Sequence, residues 1–127
     1  MLAELSADPT SGLLGYQIFA RPRGLYSVQY WNDPESIYRY ASEPDAEHHP
    51  AWAAFNRRAR KVPGAVGIFH ETFPVRGAES MYVDMPEFGL GQAVGTVPVS
   101  GSLDRAAGRM ARGRSNSASQ SDAEQGH

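Results

Sequence analysis

Apolar and polar positions alternate most regularly over residues 13–20, LLGYQIFA, with Leu14, Tyr16 and Ile18 on one side and Leu13, Gln17 and Phe19 on the other. A period of two in residues that suit a pleated surface predicts a strand. Residues 25–31, LYSVQYW, repeat the pattern, and the polar turn Arg21-Pro22-Arg23-Gly24 between them predicts an antiparallel hairpin. The period then lengthens. Asn32-Asp33-Pro34-Glu35 predicts a helix start, with Asp33 as N-cap and Pro34 in the first turn, where a missing N–H costs nothing. Ile37, Tyr40 and Ala41 share a face, and Glu43-Pro44-Asp45 ends this short helix. A second helix is predicted from His49-Pro50 to about Lys61, because His48, Trp52, Phe55 and Ala59 recur at helical spacing.

Pro63-Gly64 closes that helix, and residues 65–73, AVGIFHETF, predict a strand of buried type. After a turn over 74–77, residues 79–85, ESMYVDM, predict a fourth strand stopped by Pro86. Phe88 and Leu90 are apolar points in a glycine-rich segment, and residues 96–99, TVPV, predict a short edge strand or a packed arm. At the other end, residues 1–6, MLAELS, favour helix until Asp8-Pro9, although so short a helix cannot hold itself together in water.

From Ser100 the composition shifts to Ser, Gly, Ala, Arg and Gln, with only Leu103 and Met110 as sizeable apolar residues. That predicts a mostly disordered tail over 100–127, with a transient helix over 103–112. The expected organisation is one α+β domain over 1–99 followed by the tail. Helix, strand, strand, helix pair, strand, strand is the ferredoxin-like βαββαβ pattern without its first strand: an antiparallel sheet with helices on one face. A strand should precede the opening helix, so the expectation is a late start that leaves a sheet edge unpaired.

Composition narrows the function classes. The net charge of −2 and pI near 6.0 give the chain as a whole no electrostatic case for nucleic acid or an anionic membrane. Arg57, Arg58, Arg60 and Lys61 are expected as a solvated helix end matched to the negative pole of the helix dipole. With no cysteine, disulfides, thiolate metal sites and cysteine nucleophiles are excluded, which fits a cytoplasmic protein. No apolar run approaches the roughly 18 residues of a spanning helix, and no basic-then-apolar leader pattern opens the chain.

Several segments together are specific: GLLGYQIF, VQYW, HHPAWAAFNRRAR, VGIFHETFPV and YVDMPEFGL, within residues 1–99. They resemble a family once catalogued as a domain of unknown function and now described as monooxygenase-like, in the dimeric α/β-barrel superfamily. The family pattern includes a further N-terminal stretch with the first strand, from which this sequence departs. The resemblance implies a homodimer with sheets set face to face, a cavity between each sheet and its covering elements, and a C-terminal arm that reaches the partner. It also implies oxygen-dependent chemistry on small organic or polyketide-like molecules, without a tightly bound cofactor. A more distant relative group implies a haem-dependent aldoxime dehydratase as an alternative. A non-catalytic small-molecule binder and an inactive truncated paralogue are further alternatives.

His70 and Glu71 are the leading catalytic candidates, one as a general base. On a regular strand they point to opposite faces, so only one can line a cavity. Cofactor-free oxygenation needs a base to form a substrate carbanion. Tyr82 is the candidate hydrogen-bond donor to a substrate oxygen, and Trp52, His48, Tyr30, Met85 and Phe88 are candidate substrate contacts. Against this stands the plainer reading of a core histidine, a salt-bridged glutamate and packed aromatics, Trp31 and Tyr16 among them. No ligand spacing supports a metal site, although His48, His70 and Glu71 are conceivable ligands. Haem would need His70 or His48 as axial ligand in an apolar pocket. Gly89, Gly91 and Gly95 do not join a strand to a helix, so they form no phosphate loop. The expected partners are a small-molecule substrate and a second copy, with no nucleic acid and no membrane.

Overall fold

The computed structural model describes residues 1–44, 46 and 48–124, with side chains through Ser115. It is α+β, with a two-stranded antiparallel sheet and helices, part of a ferredoxin-like arrangement. Two compact units divide it, Met1–Phe73 and Pro74–His127.

The first unit holds α1 (Leu2–Ala7), β1 (Leu13–Arg21), β2 (Gly24–Trp31), α2 (Pro34–Ser42) and α3 (His48–Lys61). Pairing runs to Arg21 opposite Gly24, so the hairpin turn tightens to Pro22-Arg23, and the Arg21 guanidinium lies over the Tyr26 ring at 5.4 Å. At the other end Leu13 opposes Trp31 while Gly15 opposes Tyr30, which makes Leu14 the extra residue of a β-bulge. The bulge moves Leu13 to the side of Tyr16 and Ile18, where uninterrupted alternation would set it with Gln17 and Phe19. Period-two patterning cannot register an inserted residue.

α2 begins as its cap chemistry predicts. Asp33 is extended (φ −156°, ψ 162°), its carboxylate accepts from the Ser36 N–H at 2.6 Å, and Pro34 follows at the first helical position. α3 ends with Arg58, Arg60 and Lys61 in its last turn, and none of its residues is buried.

A polar junction ties α1, β1 and α2 together. Buried Ser11 donates its Oγ–H to the Leu5 carbonyl at 2.8 Å and accepts from the Leu13 N–H at 3.2 Å. Gly12 has φ +83°, and a Cβ there would stand 2.6 Å from the Ser36 Cβ, so backbone and space both demand glycine. The Gly12 carbonyl accepts from Asn32 N–H at 2.9 Å. Arg39 Nη2 donates to the Thr10 carbonyl and to Ser36 Oγ, each at 3.3 Å. Asp8 Oδ1 accepts from Thr10 Oγ1–H at 2.7 Å and Thr10 N–H at 2.8 Å, and these bonds, helped by Arg39, hold its carboxyl below its ordinary 3.8. Leu5 and Ala46, each 3% exposed, are the buried apolar residues among those described.

The expected third and fourth strands are not formed. Residues 65–73 and 79–85 carry the right patterning but join no ladder, and a strand exists only through its partner's hydrogen bonds. Asp84 at φ 52° also turns the backbone out of the extended region before Pro86. Residues 96–99 likewise form no strand.

The second unit holds α4 (Leu90–Val94), a 3-10 turn (Gly101–Asp104) and α5 (Ala106–Glu124). α5 begins within the stretch over 103–112 where a transient helix is expected, and 125–127 lie outside the described residues. Polar anchoring supplies what apolar content lacks. Arg109 Nε donates to Glu79 Oε2 at 2.7 Å, and its Nη1 donates to the carbonyls of Leu103 at 2.9 Å and Asp104 at 3.3 Å. A Cβ on Gly113 would meet the Ala78 carbonyl oxygen at 2.5 Å, and one on Gly77 would meet Arg114 Cγ at 2.6 Å. Two glycines thus let residues 77–79 lie close against α5. Among the described residues no helix is long and apolar enough to cross a membrane.

Candidate functional site

His70 and Glu71 lie on the irregular segment that follows α3 and are exposed. Without a ladder the strict alternation of faces does not apply to them. Their apolar neighbours are exposed too, Phe69 at 71% and Phe73 at 73%. Shallow, open depressions lie elsewhere, one at Arg21, Pro22, Arg23 and Tyr26, another at Ala54, Arg57, Arg58, Arg60 and Lys61.

His48 has the more developed surroundings. It opens α3, with its ring 4.8 Å from that of Tyr40 and 4.2 Å from that of His49. The Tyr40 hydroxyl donates to Glu4 Oε2 at 2.7 Å, so α1, α2 and α3 meet at this point. The His48 Nδ1 atom is buried and has no hydrogen-bond partner among the described residues. A buried ring nitrogen left unpaired is costly unless something is meant to reach it. Glu4 and Tyr40 were not singled out by sequence reasoning. The signal available was Tyr40 on the inward face of α2, but its pairing with a residue 36 positions earlier is a tertiary fact.

Trp52 is 49% exposed and stacks on Phe55 with ring centroids 5.6 Å apart and planes 15° apart. Tyr30 is half-buried on β2 opposite Gly15, beside the bulge. Tyr82, Met85 and Phe88 belong to the second unit. There the Tyr82 hydroxyl donates to the Phe88 carbonyl and accepts from the Gly91 N–H at 2.8 Å. A Cβ on Gly91 would stand 2.6 Å from Tyr82 Cε2, so Gly91 admits the ring. The one hydroxyl proton is thereby engaged in closing a loop, and a substrate oxygen would have to displace Phe88 to receive it. Met85 and Phe88 are exposed.

No group of three metal-ligating side chains gathers among the described residues. An axial haem ligand needs an imidazole facing an apolar slot. His70 stands in the open and His48 is closed in by Tyr40 and His49, so these residues do not form such a slot.

The model of the monooxygenase af470-like family matches residues 1–90, which contain α1, the hairpin, α2, α3 and the HETF segment. The chain belongs to the monooxygenase af470-like family. It is 42% identical over 77 residues to the monooxygenase af470 of Aspergillus fumigatus. That alignment covers 59% of this chain and 26% of the relative, so the chain spans about a quarter of the relative's length. No solved structure matches it. In this family member the matched stretch takes in His48, His70, Glu71, Tyr82, Met85 and Phe88, and ends before the 3-10 turn and α5.

Proposed function

We propose that the protein is a small-molecule oxygenase whose reaction begins with removal of a C–H proton from a small organic or polyketide-like substrate. The supporting observation is the family match over residues 1–90, with two histidines of suitable chemistry inside it. His70 is the general base, with Glu71 beside it. Within the first unit, Trp52, His48 and Tyr30 contact the substrate. The base takes the proton, and the carbanion gives its electrons to dioxygen as the C–O bond forms. The resulting peroxide is protonated and then loses water as the carbonyl forms. A CH₂ group and O₂ thus become C=O and H₂O, a balance that needs no external reductant and no tightly bound cofactor. The protein works as a homodimer, a reading supported by apolar side chains exposed on both faces of the hairpin, Phe19 and Tyr26 on one and Ile18 and Leu25 on the other.

The test is oxygen consumption against a panel of small activated methylene compounds. His70→Ala is expected to lower kcat by about 10²–10⁴-fold, and undiminished turnover would remove His70 from the mechanism. A second reading makes His48 the base, favoured by its buried Nδ1, which has no partner among the described residues, and by the Glu4–Tyr40 hydrogen bond beside it. A large loss in His48→Ala with little change in His70→Ala would move the base there.

A further inference from the structure

The net charge of −2 conceals a segregation of charge within the first unit. From His48 to Phe73 the sequence has four cationic side chains, Arg57, Arg58, Arg60 and Lys61, and one acidic one, Glu71. All four are exposed and, with Ala54, they border one open depression. On the opposite side of α3, by helical spacing from Arg57, runs the stripe of Trp52, Phe55 and Ala59. The chain leaving α3 exposes Val62, Val66, Ile68, Phe69 and Phe73. A cationic cluster alone suits any polyanion. Joined to an aromatic stripe and a run of aliphatic and phenyl side chains in contact with water, it suits a surface that is anionic outside and apolar just beneath.

We propose that α3 and residues 62–73 form a peripheral binding surface for anionic phospholipid membranes. Trp52 and Phe55 enter the boundary between headgroups and acyl chains, followed by Ile68 and Phe69. Arg58 and Arg60 flank the aromatic stripe, where their long stems reach headgroup phosphates while the guanidinium stays hydrated. Arg57 and Lys61 add long-range attraction. This surface shares Trp52 and His70 with the site proposed above, which it sets at the lipid boundary, but its test contains no oxygenase substrate.

The experiment is flotation of the full chain with vesicles of phosphatidylcholine and phosphatidylserine, and separately of phosphatidylcholine alone, across a salt series. Trp52 fluorescence is followed in a Trp31→Phe background. The expected result is flotation with the mixed vesicles, a blue shift of Trp52, little binding to phosphatidylcholine alone, and loss of binding as salt rises. Replacing Arg57, Arg58, Arg60 and Lys61 by Gln together should lower the vesicle partition coefficient at least about tenfold, with unchanged far-UV circular dichroism. The proposal is overturned by absence of flotation at low salt, or by equal flotation of the four-fold variant. Capture by a single-stranded oligonucleotide without vesicle binding overturns it as well. So does a homodimer that shields Trp52 from acrylamide before vesicles are added, because a second copy would then cover the face.

Discussion

The junction of α1, β1 and α2 and the stretch over 62–75 treat their apolar residues in opposite ways. At the junction Leu5 is 3% exposed although its helix is six residues long. Over 62–75, Val62, Val66, Ile68, Phe69, Phe73 and Val75 are all more than half exposed. The difference is not in hydrophobicity. The junction has short-range polar partners that hold the backbone: Ser11 on the Leu5 carbonyl, Asp8 on Thr10, Asp33 on the Ser36 N–H. The second stretch has alternation and bulk, but its ordering would require hydrogen bonds from another strand. Burial therefore follows where the backbone is held.

Four measurements would break or sharpen that contrast. The largest effect is expected for Leu5→Ala, a loss of about 3 kcal/mol in urea unfolding, against a change within about 0.5 kcal/mol for Phe69→Ala. Equal losses would mean that both regions are packed, and the contrast would fall. Gly12→Ala is expected to cost about 2 kcal/mol, because it adds strain at positive φ and contact with Ser36. A neutral result would show that the junction yields. Asp33→Ala should cost about 1 kcal/mol through the lost cap, with Asp33→Asn largely restoring it. The smallest effect belongs to Asp8. Its carboxyl is held below its ordinary 3.8, so its contribution is present above that value and is lost as pH falls through the lowered folded value. Acid unfolding of Asp8→Asn should lack that increment of slope, and identical acid profiles would mean that the Thr10 bonds do not stabilise the fold.

The parts of the fold that were legible share this local character. The Asp33-Pro34 start, the hairpin and the span of α3 follow from neighbouring residues, and the observed bounds lie within a residue or two of those expected. The bulge at Leu14 was not legible, since an inserted residue leaves the apolar pattern unbroken. The extent of α5 was not legible beyond the helical stretch expected over 103–112. Composition weighs apolar burial, whereas Arg109 anchors that segment to Glu79 and to two carbonyls, and Gly77 and Gly113 allow the close approach. Of the candidate site, the residue types were legible and their surroundings were not. His70 resembles a strand residue yet stands exposed, while His48 acquires its environment from Tyr40, itself hydrogen-bonded to Glu4.

What this sequence determined alone is its α+β character, the hairpin, the Asp33-capped start of α2, the span of α3 and the family signature, because each depends on residues within a turn or two of one another. The tertiary structure decided which apolar residues are buried, which histidine nitrogen lacks a partner among the described residues, and that residues 65–73 and 79–85 form no strand. Those outcomes depend on groups far apart in the chain, and no local pattern encodes the hydrogen-bond partner a strand or a buried imidazole must have.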